Sequence, residues 1–300
     1  MKPIGDMINN LVKKRNLGNL GLLQKEVLQD EDIQNFLRKN GNQLTKAIVA
    51  NSMANLYEFY AQKKSKNQII NGYQPELFLN GQVIDVRYKP TAEKITHDRE
   101  ENTKQHLELI DLPKKLHDVR LSQLDLTTDR SEAFGLIQKF LVDYKKYNHQ
   151  RGLYLTGDFG VGKTYLLAGL ANSVAAMSKQ VVFLHVPTFI SELGSHFKDN
   201  SLQKEIDRVT ESDLLILDDI GAETLSQWSR DDVLGVILQA RMDNVLPTFF
   251  SSNLSMDDLE EHFKETKSSV DAVKAARLMQ RVRFLAREVV VDGKNRRIQE

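Results

Sequence analysis

Gly157-Asp158-Phe159-Gly160-Val161-Gly162-Lys163-Thr164 is the stretch that decides how this chain reads. It fits G-x-x-x-x-G-K-[ST], a loop whose glycines let the backbone curl until its N–H groups face a phosphate. Gly152-Leu153-Tyr154-Leu155-Thr156 before it is short, apolar and β-prone, and Tyr165 to Ala171 after it reads as a helix opening at Gly162. Strand, loop, helix is the context the motif requires, and the helix N-terminus adds a dipole that favours an anion. In that setting Lys163 reaches the β- and γ-phosphates of a nucleotide, and the Thr164 hydroxyl completes the shell of a Mg²⁺ ion. Average residue usage puts the bare pattern by chance in about one chain per hundred of this length. The flanking strand and helix lower that figure, so ATP with Mg²⁺ is the expected ligand.

Reading outward, four more apolar runs follow: 180–186 (QVVFLHV), 213–220 (DLLILDDI), 247–253 (PTFFSSN) and 288–291. Helical stretches separate them, so an α/β domain with a five-stranded, mainly parallel sheet is expected. Ligands of such sheets lie outside the carboxyl ends of the strands. The loop, Asp218-Asp219 and Ser251 to Asn253 all fall at such ends. Leu214 to Asp219 has the form of a Walker B strand. Asp218 is placed to hold Mg²⁺ through its water shell, and Asp219 to orient or deprotonate the attacking water. Asn253 is placed to hydrogen-bond both a γ-phosphate and that water; an Asn at a strand end is otherwise a turn residue.

The first 66 residues read as helical, with Val49, Met53, Leu56 and Tyr60 on one face and Ile48 and Phe59 widening it. Core packing is the plainer account of that stripe, a partner-binding face the sharper one. Asn80-Gly81 between apolar runs signals a type I′ hairpin, with Ile84, Val86 and Tyr88 alternating against Asp85 and Arg87. Residues 1–90 are thus expected to be a small, mainly helical domain with a β-hairpin, 91–110 a polar linker, and 111–300 the nucleotide-binding domain. An amphipathic helix near 131–147 presents Phe134, Ile137, Leu141 and Tyr144 on one side.

Composition narrows the classes. Lys and Arg number 41 against 41 Asp and Glu, so any nucleic-acid contact must come from a local patch. There is no cysteine, hence no disulfide framework, and His97 and His106 stand without further metal ligands. With no signal-peptide pattern and no apolar run of membrane-spanning length, a cytoplasmic protein without membrane contact is expected. Residues 270–300 carry eight Lys and Arg against four acids. Arg277, Arg281, Arg283 and Arg287 there fit three readings: a solvated face over apolar packing, an arginine finger for a neighbouring subunit, or a strip for single-stranded DNA.

With these residues assembled, the second half resembles the bacterial helicase-loader branch of the AAA+ superfamily, and within it the DnaI family, with DnaC and IstB ATPases as relatives. The resemblance is carried by Tyr154 to Gly157, Leu217 to Glu223 (LDDIGAE), Trp228 to Arg241, Leu246 to Asn253 and Ala276 to Arg283. It implies a Walker A site at Lys163 and Thr164, Walker B at Asp218 and Asp219, and sensor 1 at Asn253. The arginine finger falls at Arg281, with Arg277 the runner-up, and the usual helical lid is missing. Candidates for a sensor 2 arginine are Arg296 and Arg297. The family's N-terminal module binds the replicative helicase hexamer and in some members holds a Cys/His zinc site; without cysteine, no zinc is expected here. The function so implied is ATP-dependent loading of the replicative DNA helicase, with ATP hydrolysis weak unless stimulated, self-assembly through the AAA+ domain, and single-stranded DNA as a further partner. The alternatives are an IstB-like transposition helper, a non-hydrolysing nucleotide-binding adaptor and a small-molecule kinase.

Overall fold

In the computed structural model, which describes residues 20–65, 70–125, 130–193, 201–267 and 270–296, the chain divides into two units, Met1–Asp98 and Arg99–Glu300. The expected helix over the first nineteen residues and the candidate Arg297 lie outside the described residues. Among those described, no helix is long and apolar enough to cross a membrane.

The first unit contains helices α1 (Leu20–Gln29), α2 (Glu31–Lys39), α3 (Lys46–Asn51) and α4 (Met53–Lys64), then a hairpin of β1 (Tyr73–Asn80) and β2 (Val83–Pro90). Side-chain caps start two of the helices. Asp30 accepts the N–H groups of Asp32 and Ile33 at 3.0 and 3.3 Å, and Thr45 accepts that of Ile48 at 3.3 Å. Buried Ser52 ends α3 and also docks the hairpin. Its hydroxyl donates to Ile48 O at 2.7 Å and accepts Ile84 N–H at 2.8 Å. The apolar stripe is core: Leu56, Phe59 and Tyr60 are buried with Val27, Ile33, Leu77 and Ile84, and Ile48, Val49 and Met53 pack against them.

The hairpin turn differs from expectation by one residue. Asn80 pairs with Val83, so the turn is Gly81-Gln82, and only Gly81 has positive φ, at 59°. That is the sign pattern of type II′, which needs glycine at its first central position, and not of type I′.

The segment expected as a linker is ordered too. Residues 92–106 contain no Gly or Pro, Thr91 Oγ1 caps the start by accepting Lys94 N–H at 3.2 Å, and Lys94 pairs with Asp98 one turn on at 2.6 Å. They form α5 (Ala92–His106), followed by β3 (Leu107–Ile110). The second unit continues with α6 (Ser131–Tyr144), β4 (Gly152–Thr156), α7 (Lys163–Ala175), β5 (Val181–His185), α8 (Val186–Leu193) and α9 (Ser201–Glu211). Then come β6 (Leu214–Asp218), a π turn (Ser229–Leu234) leading into α10 (Gly235–Asp243), β7 (Thr248–Ser252), α11 (Met256–Lys264), α12 (Ala272–Leu285) and β8 (Ala286–Val290). The sheet has six strands, not five, in the order β3-β5-β6-β7-β4-β8, with every pairing parallel. The added edge strand β3 pairs Leu107 to Ile110 with Val181 to Leu184.

Both faces of the sheet are covered, which is why its strands are apolar runs. Leu153, Leu155, Phe183, Ile216 and Phe249 pack against α6 and α7 on one face; Tyr154, Leu184, Leu217 and Phe250 face Val233, Ile237, Leu259, Phe263 and Met279 on the other. Fully buried Arg241 fixes where β6 and β7 begin. Its guanidinium donates to Thr210 O, Ser212 O, Pro247 O and Thr248 Oγ1 at 2.8–2.9 Å. Burial pushes its pKa down to about 9, so it stays charged at neutral pH. Replacing it with Met removes this donor from Thr210 O and Ser212 O, each worth about 1–3 kcal/mol when unpaired, while Pro247 O keeps the Leu215 N–H at 3.1 Å. Arg241→Met is therefore expected to lower unfolding free energy by about 2 kcal/mol or more in a urea titration.

Candidate nucleotide-binding site

Strands β6, β7 and β4 are neighbours, so the segments leaving their carboxyl ends converge. Lys163, only 8% exposed, opens α7 beneath the loop. Its ammonium donates to Gly157 O (2.6 Å), Asp158 O (2.9 Å) and Asn253 Oδ1 (2.8 Å). Asn253 Nδ2 in turn donates to Asp219 Oδ1 at 3.3 Å. The Thr164 hydroxyl donates to the Asp218 carboxylate at 3.0 and 3.2 Å, and Ser251 Oγ donates to Asp218 Oδ1 at 2.5 Å. Loop, paired acids and polar strand end are thus one hydrogen-bonded network.

Electrostatics differ between the two acids. Burial pushes the Asp218 carboxyl above the ordinary aspartate value; hydrogen bonds from Ser251 and Thr164 oppose the rise, and the Asp219 charge adds to it. A buried carboxylate beside a hydroxyl is a hard oxygen donor set of the kind Mg²⁺ takes, so the residues fit that ion. Asp219 is partly exposed and sits at φ 59°, strained for a residue with a Cβ. Ser251 Oγ accepts its N–H at 3.0 Å, and His185 Nε2 lies 3.8 Å from its Oδ2.

Supports reach the loop from three sides. Tyr154 and Thr156 project from the same face of β4, and both donate to Leu254 O, at 2.8 and 2.9 Å, fixing the residue after Asn253. A Cβ on Gly157 would collide with the carbonyl of Val291, whose N–H donates to Thr156 O at 2.7 Å. Beyond Val291 the chain follows the loop. Arg296 N–H donates to Gly160 O at 3.0 Å, Asn295 packs on Gly160, and the Arg296 side chain pairs with Asp125 at 2.8 Å. Of the remaining loop residues, Phe159 is exposed and Val161 is buried.

The structure gathers Lys163, Thr164, Asp218, Asp219 and Asn253; it does not bring the candidate arginines among them. Arg281 is half-buried and donates to Gly235 O at 2.9 Å, while Arg277 is exposed and makes no hydrogen bond or ion pair among the described residues. Arg283 pairs with Glu260 and Asp257 at 2.6 and 2.7 Å, and Arg287 lies 3.7 Å from Glu132. Sequence reasoning missed His185, although it ends β5 in register with Asp218 and the strand-end rule pointed there. It also missed Arg130, buried against Gly162, which no local pattern marks.

A parallel sheet with a phosphate loop after β4, paired acids after β6 and a polar residue after β7 defines a P-loop domain of the AAA+ class. Residues 91–300 match the family described as IstB-like ATP binding protein, and residues 1–88 the primosomal protein DnaI N-terminus. The chain is 35% identical to the replicative helicase loader DnaI of Bacillus subtilis (strain 168), over 99% of both chains. A putative primosome component from Streptococcus pyogenes serotype M3 superposes with a TM-score of 0.55 at 40% identity, covering 65% of this chain and 97% of its own. A crystal structure of DnaI superposes with a TM-score of 0.57 at 36% identity, covering 65% of this chain and 99% of its own. The chain belongs to the DnaI family: a DnaI amino-terminal module joined to an IstB-like ATP-binding domain.

The raised pKa of Asp218 makes a pH prediction. Between the unfolded aspartate value and the raised folded one, the folded state binds more protons, so this group's contribution to stability falls as pH rises. Asp218→Asn removes that loss. The unfolding free energy of Asp218→Asn should therefore gain on wild type as pH is raised from about 4 towards 7, with a slope no steeper than about 1.4 kcal/mol per pH unit. Paired urea titrations across that range measure it.

Proposed function

We propose that this chain is an ATP-dependent loader of the replicative DNA helicase. The supporting observation is that likeness to a replicative helicase loader runs over 99% of the chain, with both modules in the same order. In this reading residues 1–90 grip the helicase hexamer, and 111–300 bind and hydrolyse ATP.

The geometry supports definite roles. Loop N–H groups and the Lys163 ammonium neutralise the β- and γ-phosphates, and Thr164 and Asp218 hold Mg²⁺. The ion, when bound, offsets charge developing on the phosphate oxygens. Asp219 orients or deprotonates the attacking water. Asn253 joins Lys163 to Asp219, so a γ-phosphate that draws the ammonium also changes the tie on the acid. Binding is thereby coupled to the hydrolytic group through one amide. Partly exposed Asp219, held by Ser251 and Asn253, favours hydrolysis over a passive adaptor. The DnaI-type first module disfavours the transposition helper.

Exposure makes Arg277 the better placed of the two arginines to reach a neighbouring subunit's nucleotide or single-stranded DNA; Arg281 is committed to Gly235 O. Full-length protein is expected to bind its cognate helicase, with ATP hydrolysis rising on addition of helicase and single-stranded DNA. Absence of both association and stimulation would sink the proposal. Lys163→Ala should abolish nucleotide binding. Arg277→Ala should keep ATP affinity and lower stimulated turnover at least about tenfold, with Arg281→Ala the side-by-side control.

A further inference from the structure

Arg130, immediately before α6, is 3% exposed. Its Nη1 donates to Asp125 O at 3.0 Å and its Nη2 to Gly162 O at 3.4 Å. Nε has no hydrogen-bond partner, and no carboxylate pairs with the guanidinium, among the described residues. The adjacent carboxylate, Asp125, is taken by Arg296. Asp125 therefore serves two guanidinium groups beside Gly160 and Gly162, paired directly with Arg296 and acting on buried Arg130 only through space. Burial and the like charge of Arg296 act against the protonated form of Arg130, and the Asp125 charge opposes them. A buried, unpaired cation is costly, and an unused donor adds to that cost.

Its place says what anion would relieve it. A Cβ on Gly162 would come within 2.5 Å of Nη2, so glycine at this position is what lets the guanidinium lie against the loop. On the reading that this loop cradles nucleotide phosphates, Gly162 belongs to that cradle and Lys163 follows it in sequence. We propose that Arg130 is a second cation of the nucleotide site, pairing with the phosphate chain of the bound nucleotide. This rests on the nucleotide-binding reading above and adds a binding residue from outside the loop, the acids and the strand ends. Arginine suits the task because its planar fork matches phosphate oxygens and stays charged where a lysine would more readily lose its proton.

The test is titration of full-length wild type, Arg130→Met and Arg130→Lys with ATP, ADP and inorganic tripolyphosphate, alongside thermal melts with and without ATP. Arg130→Met should weaken ATP, ADP and tripolyphosphate by a similar factor, about tenfold or more. Without nucleotide it should melt no lower than wild type, because an apolar side chain of similar size removes a buried charge that has no direct ion pair among the described residues. Its ATP-induced rise in melting temperature should shrink, and Arg130→Lys should fall between the two. Unchanged ATP affinity overturns the inference. So does a lowered melting temperature with an intact ATP-induced rise, which marks a structural role, or a loss confined to ATP and ADP, which marks a base or ribose contact. If Arg130→Met does not fold, the same titration of Arg130→Gln decides on the same criteria. If wild type itself binds no ATP, the nucleotide reading falls and this one with it; wild-type binding matched by Arg130→Met overturns this one alone.

Discussion

An ammonium group buried at the mouth of β4 sets the terms for this half of the molecule. Lys163 brings a full charge to a place with little access to water, where each unmatched polar atom is costly. Its acceptors come from the loop and from the end of β7, three strands later in the chain, and the amide that serves it must also serve Asp219. The three strand ends have to be adjacent for this to work, and the sheet order makes them so. Their placement is set at the far end as well, where Arg241 ties the starts of β6 and β7 to the end of α9. The strands are short and packed on both faces, so fixing their entry constrains their exit.

Burial divides the arginines by task. Arg230 and Arg241 are enclosed and fully engaged, Arg241 largely with backbone carbonyls and Arg230 with Phe263 O and the Asp231 carboxylate, so they act as cross-braces between segments. Arg283 is held by two carboxylates on α11. Arg277 has none of these commitments among the described residues and is exposed. A guanidinium that braces the fold has little freedom to answer a ligand; one without partners does. Residue type is the same for all of them in the sequence, so burial supplies a distinction that residue type does not.

What could be read from sequence followed the range of the interaction. The phosphate loop, the acids after β6 and Asn253 were legible because each is a short pattern at the end of an apolar run. β3 was not: four residues after a charged helix carry too little pattern, and its pairing partner lies more than seventy positions away. The stretch that forms α5 reads as a linker in the sequence because it is polar, whereas a Thr cap and a Lys94–Asp98 pair accompany a helix with little to bury. The hairpin was found, but its turn slipped by one, since Asn-Gly signals type I′ locally while the cross-strand register placed Gly81 first in the turn. The bond from Arg130 to Gly162 spans 32 residues and follows no spacing rule.

Asp218 and Asp219 are adjacent in sequence yet are treated oppositely by the fold, and that contrast bears on how the site works. The first is buried, raised in pKa and saturated by two hydroxyl groups, a state in which a divalent cation gains more than water does. The second turns out of the strand at positive φ into partial exposure, with its backbone N–H on the same Ser251 hydroxyl that donates to the first. One serine therefore fixes both the carboxylate that suits a metal and the strained turn that presents its neighbour towards solvent. Relaxing that turn would bring Asp219 back towards ordinary strand geometry, away from Asn253 and His185. The strain is thus tied to the same hydrogen bonds that position the acid, so the turn after β6 and the placement of Asp219 are set together.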